Sequence, residues 1–131
     1  MTMSNKEIAL EILKRAFVKK DPTVVEQYFS PNYKQHNPVI PEGPKAIAGM
    51  IPTLAGLNYE PGMVVAEGDY VMVHGRYVGW GPKPLVAVDI FRFEDGKVAE
   101  HWDVMQDEVF AKDTKSGNAM FTNPQTPSRG R

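Results

Sequence analysis

Three titratable side chains fall close together near the end of the chain, at Asp89, His101 and Asp103. They belong to two segments, Leu85–Glu94 and Lys97–Gln106, in which apolar residues alternate with others as they do in half-buried β-strands. An apolar environment disfavours an ionised carboxylate, and a second carboxylate nearby disfavours it further, whereas a protonated imidazole favours it. Two carboxylates and an imidazole on one apolar sheet face therefore predict acid–base catalysis by an aspartate near neutral pH.

The turn between these two strands decides which side chains share a face, because a slip of one residue moves every side chain to the other face. A two-residue loop at Asp95-Gly96 places Asp89 opposite Trp102, whereas a three-residue loop ending in a glycine bulge places Asp89 opposite His101. We favour the three-residue loop because Glu94-Asp95 suits a type I turn. It predicts one face made of Ala87, Asp89, Phe91, Ala99, His101, Asp103 and Met105.

Two other interpretations of the trio remain open. Asp89, His101 and Asp103 also suit a structural hydrogen-bonded network, or exposure to solvent on an edge strand. The opposite face of the hairpin has apolar residues of its own and suits packing or a homodimer interface. Its residues are Val88, Ile90, Arg92, Val98, Glu100, Trp102 and Val104.

Further candidates for ligand binding lie outside the trio. Tyr33, His36 and Asn37 belong to a polar segment that we predict to be a loop, and His74 lies in the middle of a predicted strand. From the hairpin itself we add Phe91 and Met105 to this group. We expect no metal site, because no two histidines have close ligand spacing, and glycine-rich phosphate-binding motifs are absent.

The elements that must position these residues are helices first and strands after. Ser4 and Glu7 form a capping-box pattern at the start of an amphipathic helix, and Asp21-Pro22 begins a second helix. A third helix has Pro44 in its first turn, and Pro52 ends or kinks it. From Tyr59 onward the pattern predicts about four antiparallel strands, so the fold class is α+β.

Composition excludes several functional classes. The chain has 131 residues, of which 42% are hydrophobic, and a net charge of -1, so it is globular and unlike a basic nucleic-acid binder. It contains no cysteine, which excludes disulfides and cysteine-ligated zinc. No apolar run approaches the roughly 20 residues that span a bilayer. The N-terminus has no signal-peptide pattern, and we expect a cytoplasmic protein without membrane or nucleic-acid partners.

The end of the chain differs in composition from the rest. Residues 113–131 are rich in Ser, Thr, Asn, Pro and Gly and show no periodicity, so we expect one domain over residues 1–112 followed by a flexible tail. Met120 and Phe121 are the large apolar residues of this tail. We predict that they fold over the mouth of a pocket as a lid, either on this chain's own pocket or on that of a partner.

The hairpin resembles a known family. Val88–Gln106, with Asp89-Ile90-Phe91-Arg92-Phe93 and Glu100-His101-Trp102-Asp103, is similar to the SnoaL-like branch of the NTF2-like superfamily. Tyr33–Pro38 resembles the segment that bacterial members carry after their second helix. The likeness covers about Lys6–Phe110.

The resemblance implies a cone of three helices packed in a strongly curved mixed sheet, usually dimeric. In SnoaL-type polyketide cyclases an intramolecular aldol condensation proceeds by acid–base chemistry without cofactor or metal. The acid/base aspartate of the family falls on Asp103, and a histidine of the cyclases is replaced by Asp89. A cofactor-free enzyme of the aldol, cyclase or isomerase type is therefore expected, acting on a small apolar, enolisable carbonyl compound.

Two further functions are alternatives to an enzyme. A non-catalytic NTF2-like protein would bind a small apolar ligand and orient it with the same polar residues. A purely structural dimerisation module would fill its pocket with Phe17, Tyr33, Phe91 and Met105.

Overall fold

A computed structural model describes residues 2–124, which form three helices and one curved five-stranded sheet. The helices are α1 (Asn5–Leu13), α2 (Thr23–Tyr28) and α3 (Pro44–Met50). The strands are β1 (Phe29–Gln35), β2 (Asn58–Glu67), β3 (Tyr70–Val78), β4 (Leu85–Glu94) and β5 (Lys97–Asp107). Three short turns of π-helix or 3-10 helix lie at Lys14–Val18, Ile51–Thr53 and Ala111–Asp113. The predicted α+β class is confirmed.

The first helix begins at the predicted capping box. The Ser4 hydroxyl accepts from the Glu7 N–H at 3.1 Å, and the Glu7 carboxylate accepts from the Ser4 N–H at 2.8 Å. After Leu13 the helix widens into the π-helical turn and ends at Val18, and Lys20 follows it with a left-handed φ of 56°. The ammonium group of Lys20 donates to the carbonyl of Leu57 at 2.6 Å, which ties the end of this helix to the start of β2.

The sheet has the order β1-β5-β4-β3-β2, and β1 runs parallel to β5 while the other pairs are antiparallel. The sheet is therefore mixed, but it has one strand more than predicted. Tyr33 and Gln35 lie in β1, so the prediction that their segment is a loop is wrong. Pro31 and polar neighbours hid this strand, and both are tolerated because β1 is an edge strand whose register shifts between Phe29 and Lys34.

The turn of the β4–β5 hairpin is the two-residue alternative, so our preference for the three-residue loop is wrong. Asp95 and Gly96 have φ values of 51° and 75°, as a type I′ turn requires. A bulge at Ala99 then shifts the register by one residue, and Asp89 lies opposite Asp103. This shift returns Asp103 to the face of Asp89, so the residues predicted to share that face do share it although the predicted pairing is wrong. The placement of Val98 on the opposite face is wrong as well, because Val98 pairs with Phe93 and lies fully buried in the core.

One face of the sheet packs on the helices, and we call it the inner face. Its buried residues include Val71, Val73, Tyr77, Phe91 and Phe93, which join helix residues in a single core. The backbone at Gly75 approaches the ring of Tyr59 so closely that a Cβ atom there would overlap it. Close packing of the two aromatic strands β2 and β3 therefore requires glycine at this position.

The other face of the sheet, the outer face, holds the segment after β5. Phe121 is fully buried against Gly62 and His74, and its ring centroid lies 5.8 Å from that of His74. The Sδ atom of Met120 accepts from the N–H of Val109. The prediction that Met120 and Phe121 close the pocket is therefore wrong for this chain's own pocket, because they lie on the opposite face.

The predicted division at residue 112 stays a prediction, and residues 125–131 of the predicted tail lie outside the described residues. The outer face also exposes Met63, Val65, Met72 and Val104. The predicted homodimer and cytoplasmic location remain predictions. No helix among the described residues has the length and apolar character that crossing a membrane requires.

Candidate active site

A cavity lies between the helices and the inner face, and its wall is mainly aromatic and aliphatic. Phe17, Tyr77 and Phe91 belong to this wall. The cavity has a volume of about 50 Å³, which is room for several waters. Phe17, Tyr33, Phe91 and Met105 line the cavity rather than fill it, which disfavours the purely structural module.

A wider mouth of about 320 Å³ lies next to this cavity. Three residues line only the mouth, namely Asn37, Pro38 and Val39. Three others line both the mouth and the cavity, namely Trp80, Asp103 and Met105. Asp103 therefore lies where the cavity meets this mouth, within reach of a molecule in either space.

Asp103 is half-buried, and one neighbour holds its carboxylate. The amide nitrogen of Asn37 donates to Oδ1 at 3.0 Å and to Oδ2 at 2.8 Å. Burial raises the pKa of Asp103 above its ordinary value and the charge of Asp89 raises it further, while the Asn37 hydrogen bond and the charge of His101 oppose the rise. Burial prevails, so Asp103 binds a proton more readily than an exposed aspartate does.

Asn37 is itself fixed on both sides of its amide. Its Oδ1 accepts from the N–H of Val39 at 2.9 Å, so its Nδ2 must be directed at Asp103. Its backbone N–H donates to Oε1 of Gln35 at 3.0 Å. Asn37 was predicted to bind a ligand, and the structure places it at the mouth as the group that orients Asp103.

Asp89 and His101 form a buried pair deeper in the cavity. Asp89 is 2% exposed, and its Oδ1 lies 2.8 Å from Nε2 of His101. Its Oδ2 accepts from the hydroxyl of Tyr77 at 2.6 Å. Burial, followed by the charge of Asp89, raises the pKa of Tyr77, so the tyrosine stays protonated and continues to donate.

Gln35 determines where the protons of this pair reside. Its Oε1 accepts from the N–H of Asn37 and lies 2.9 Å from Nδ1 of His101. Because an amide oxygen only accepts, Nδ1 of His101 must carry a hydrogen. The contact between Nε2 and Asp89 then holds one further proton, as imidazolium with carboxylate or as imidazole with carboxylic acid. Both states have no net charge.

Gln35 and Tyr77 are site residues that the sequence analysis missed. Gln35 was assigned to a loop, and only its pairing opposite His101 in β1 and β5 brings it to the cavity. Tyr77 shares a strand face with Val71 and Val73, and this alternation was a usable signal. A tyrosine on an otherwise aliphatic inner face needs a partner for its hydroxyl.

The other two histidines lie on the outer face and do not line the cavity. The His36 ring stacks on Trp102 with centroids 4.9 Å apart, and its Nε2 lies 2.6 Å from Glu100. His74 packs against Phe121. Of the predicted ligand-binding residues, the structure thus brings Tyr33, Phe91, Met105 and Asn37 to the cavity or its mouth, and leaves His36 and His74 apart from it.

The trio also offers metal-ligating atoms. One atom each from Asp89, His101 and Asp103 lie within 4.8 Å of one another. The donor atoms of Asp89 and His101 already bond each other, so a cation would have to displace the proton between them. The expectation of no metal site stays a prediction.

Known proteins resemble this chain in fold and in sequence. It is similar to an NTF2-like protein of unknown function from Cytophaga hutchinsonii, with a TM-score of 0.68 and 14% identity over 81% of this chain and 93% of that one. TsrD from Streptomyces laurentii has a TM-score of 0.66 and 22% identity over 81% and 91% of the two chains. A proposed polyketide cyclase from Acidithiobacillus ferrooxidans has a TM-score of 0.65 and 18% identity over 81% and 92%.

At these identities the structural likeness shows the fold alone. No curated protein matches the chain. The SnoaL-like domain family matches residues 11–101, which is more than half of the sequence. The predicted resemblance is confirmed, and the chain belongs to the SnoaL-like domain family, within the NTF2-like fold.

Proposed function

We propose that this chain is a cofactor-free enzyme that uses Asp103 as an acid–base group on an enolisable carbonyl compound. The observation that carries the proposal is the position of Asp103, half-buried where an apolar cavity opens, with burial raising its pKa. A base is most effective when its pKa approaches the working pH, and desolvation moves a carboxylate in that direction. A proposed polyketide cyclase among the similar structures supports the same class of reaction.

The reaction begins with a proton transfer to Asp103. The hydrocarbon part of the substrate packs against Phe17, Trp80 and Phe91, and its acidic C–H faces the carboxylate. Asp103 takes the proton, and the electron pair of the C–H bond becomes an enolate. Asn37 holds the carboxyl group in place through this change.

The second step returns the proton. In an aldol reaction the enolate carbon attacks a second carbonyl, a carbon–carbon bond forms, and Asp103 gives its proton to the new alkoxide. In an isomerisation Asp103 gives the proton to another carbon of the same enolate. Both routes leave the enzyme unchanged, so one base serves the aldol, cyclase and isomerase reactions.

The buried pair keeps the charge of this site simple. Asp89 and His101 together have no net charge whichever of them carries the shared proton. Asp103 is then the one carboxylate of the described cavity lining whose charge is not matched by a cation in direct contact. An uncompensated carboxylate beside an apolar cavity is a stronger base than one in an ion pair.

Proton exchange on a simple ketone tests the proposal. The protein is incubated with 2-tetralone in D₂O, and the loss of the α-proton signal is followed by NMR. We expect exchange above the buffer rate, and a decrease of about 100-fold or more in Asp103→Asn, in the range of general-base catalysis. Asp107→Asn removes an exposed carboxylate from the same strand and should keep the rate. Equal rates in the two variants would refute the assignment of Asp103.

A non-catalytic binding protein is the second candidate, and one observation favours it. Asp89, His101 and Asp103 all have hydrogen-bond partners within the fold, so these three titratable groups are satisfied without a substrate. Such a wall can orient a ligand without transferring a proton. Binding of 2-tetralone with no exchange above the buffer rate would select this function over the enzyme.

A further inference from the structure

The hydroxyl group of Tyr33 holds a proton that has no acceptor within residues 2–124. Tyr33 lines the cavity, is 2% exposed, and packs edge-on against Phe29 with ring centroids 4.8 Å apart. Its oxygen accepts from Nε2 of Gln35 at 2.6 Å. A buried hydroxyl that only accepts leaves a donor without a partner, and burying such a donor is unfavourable.

Gln35 cannot reverse its amide to accept this proton. Its Oε1 accepts from the N–H of Asn37 at 3.0 Å and from Nδ1 of His101 at 2.9 Å. A reversed amide would place its NH₂ group against the backbone N–H of Asn37, which is a donor whatever the tautomer of His101. The amide nitrogen therefore stays directed at Tyr33, and the tyrosine proton stays available to a molecule in the cavity.

The surroundings of Tyr33 keep this proton in place. Burial raises the pKa of Tyr33, and the charges of Asp103, Asp89 and Glu42 raise it further. The two aspartates that act on it electrostatically also line the cavity, so the hydroxyl belongs to the same site as Asp103.

We infer that the Tyr33 hydroxyl is a catalytic hydrogen-bond donor, which binds the carbonyl oxygen of the substrate and the enolate oxygen that develops when Asp103 takes the proton. This inference rests on the proposed function. The tyrosine proton is not transferred, so Asp103 remains the one acid–base group. A donor already oriented in an apolar site stabilises developing negative charge more than water does, because no reorganisation is needed.

The hydrogen-bond chain behind Tyr33 strengthens it as a donor. His101 donates to the oxygen of Gln35, and the amide nitrogen of Gln35 donates to the oxygen of Tyr33. Each bond in such a chain polarises the next. Asp89, His101 and Gln35 are therefore positioning residues, which act on the substrate oxygen only through Tyr33.

The experiment uses 4-nitrophenolate, which presents a charged oxygen on a planar carbon framework as an enolate does. Binding is measured in Asp103→Asn, because the neutral amide stands for the protonated acid that faces the enolate. We expect the double variant Asp103→Asn/Tyr33→Phe to bind 4-nitrophenolate about tenfold more weakly or worse, as loss of a hydrogen bond to a charged oxygen implies. Nitrobenzene, which lacks that oxygen, should bind both proteins equally.

Tyr28→Phe in the same Asp103→Asn background is the matched control. Its hydroxyl contacts Met3 and lies outside the cavity lining, so 4-nitrophenolate affinity should not change. Equal affinities in the Tyr33→Phe and Tyr28→Phe proteins would overturn the inference. So would a parallel loss of nitrobenzene binding, which would show a damaged cavity, or no binding of 4-nitrophenolate by Asp103→Asn.

The failures of the two proposals are distinguishable. If wild-type protein exchanges no protons of 2-tetralone but the 4-nitrophenolate difference persists, the enzyme is refuted and the donor remains. If exchange is observed and Tyr33→Phe alone leaves its rate unchanged, the inference about Tyr33 fails while Asp103 keeps its role.

Discussion

The inner and outer faces of the β4–β5 hairpin each carry a contact between a histidine and a carboxylate. On the inner face Nε2 of His101 lies 2.8 Å from Asp89, and on the outer face Nε2 of His36 lies 2.6 Å from Glu100. The distances are similar, but the surroundings are not. The side chains of Asp89 and His101 are 3% and 10% exposed, whereas 42% of the His36 side chain is exposed.

The two carboxylates also differ in their other partners. Glu100 accepts from the guanidinium of Arg92 at 3.0 Å, and its hydrogen bond with His36 is the main reason that its pKa is lowered. Asp89 accepts from the neutral hydroxyl of Tyr77. The outer contact is thus one bond in a solvated network, while the inner contact is a neutral unit that has to hold its proton within the protein.

Removal of one partner should therefore have a large effect on the inner face. Asp89→Ala leaves the hydroxyl of Tyr77 and Nε2 of His101 buried without partners, and we expect the free energy of unfolding to decrease by about 3 kcal/mol or more. Urea unfolding followed by tryptophan fluorescence measures this change.

Glu100→Ala is the matched variant on the outer face. Water and neighbouring side chains can replace its partners, so its effect should be several times smaller. If Asp89→Ala yields no folded protein, Asp89→Asn replaces it, because it keeps the shape of the side chain. Its loss in the free energy of unfolding should be smaller than that of Asp89→Ala and larger than that of Glu100→Ala. Equal losses for Asp89→Ala and Glu100→Ala would show that burial does not distinguish the two contacts.

The sequence predicted this contrast only in part, and the reasons are physical. Because a strand has a period of two, alternation set His101 and Asp103 on one face of β5 and Glu100 on the other. Asp89 was set on the face of Asp103 by the three-residue turn, which is wrong, and the bulge at Ala99 restores that shared face. The bulge at Ala99 has no local signal, so the pairing was missed. Gln35 was missed because its place in the site depends on a parallel contact between residues far apart in the chain.

The start of helix α1 and the ends of β4 were predicted better. A capping box acts within a few residues, and Glu94-Asp95-Gly96 marks a turn whichever type it adopts, so local chemistry determines both. The cavity depends instead on how three helices fit a curved sheet. For that reason the side chains that line the cavity were partly predicted, while the hydrogen bonds between them were not.

A smaller effect on stability than that of Asp89→Ala is expected at Asp103, which belongs to neither of the two histidine–carboxylate contacts. Burial raises its pKa, so between its ordinary pKa and the raised value the folded state binds more protons than the unfolded state. The free energy of unfolding therefore decreases as pH rises through that window, because the buried carboxyl group of Asp103 has to lose its proton. Asp103→Asn removes the effect, and at neutral pH we expect the melting temperature to increase by up to about 5 °C, the shift that about 1 kcal/mol gives a chain of this size.

The melting temperature of Asp103→Asn should be compared with that of wild type from acidic to neutral pH. The gain should disappear below the ordinary pKa of aspartate, where wild-type Asp103 is protonated as well. Asp107→Asn removes an exposed carboxylate from the same strand and should show no gain of this kind. A gain that is constant over the whole pH range would mean that charge burial is not its cause.

The smallest effect is expected for His36→Ala, which tests the outer contact from its other side. The variant loses the stack on Trp102 and the hydrogen bond to Glu100. We expect the free energy of unfolding to decrease by about 1 kcal/mol or less, because both partners remain in contact with solvent.

The pKa of Glu100 should rise in the same variant, since the contact that lowers it most is gone while Arg92 remains. NMR titration of the Glu100 carboxyl measures this rise. The lowered pKa of Glu100 stabilises the fold above the ordinary pKa of glutamate, and this stabilisation is lost as pH falls. His36→Ala should therefore reduce the difference in the free energy of unfolding between neutral and acidic pH. The rate of α-proton exchange on 2-tetralone should be unchanged, because the His36 side chain lies on the face opposite the cavity. A decrease in this rate would show that His36 belongs to the ligand-binding site, as the sequence predicted.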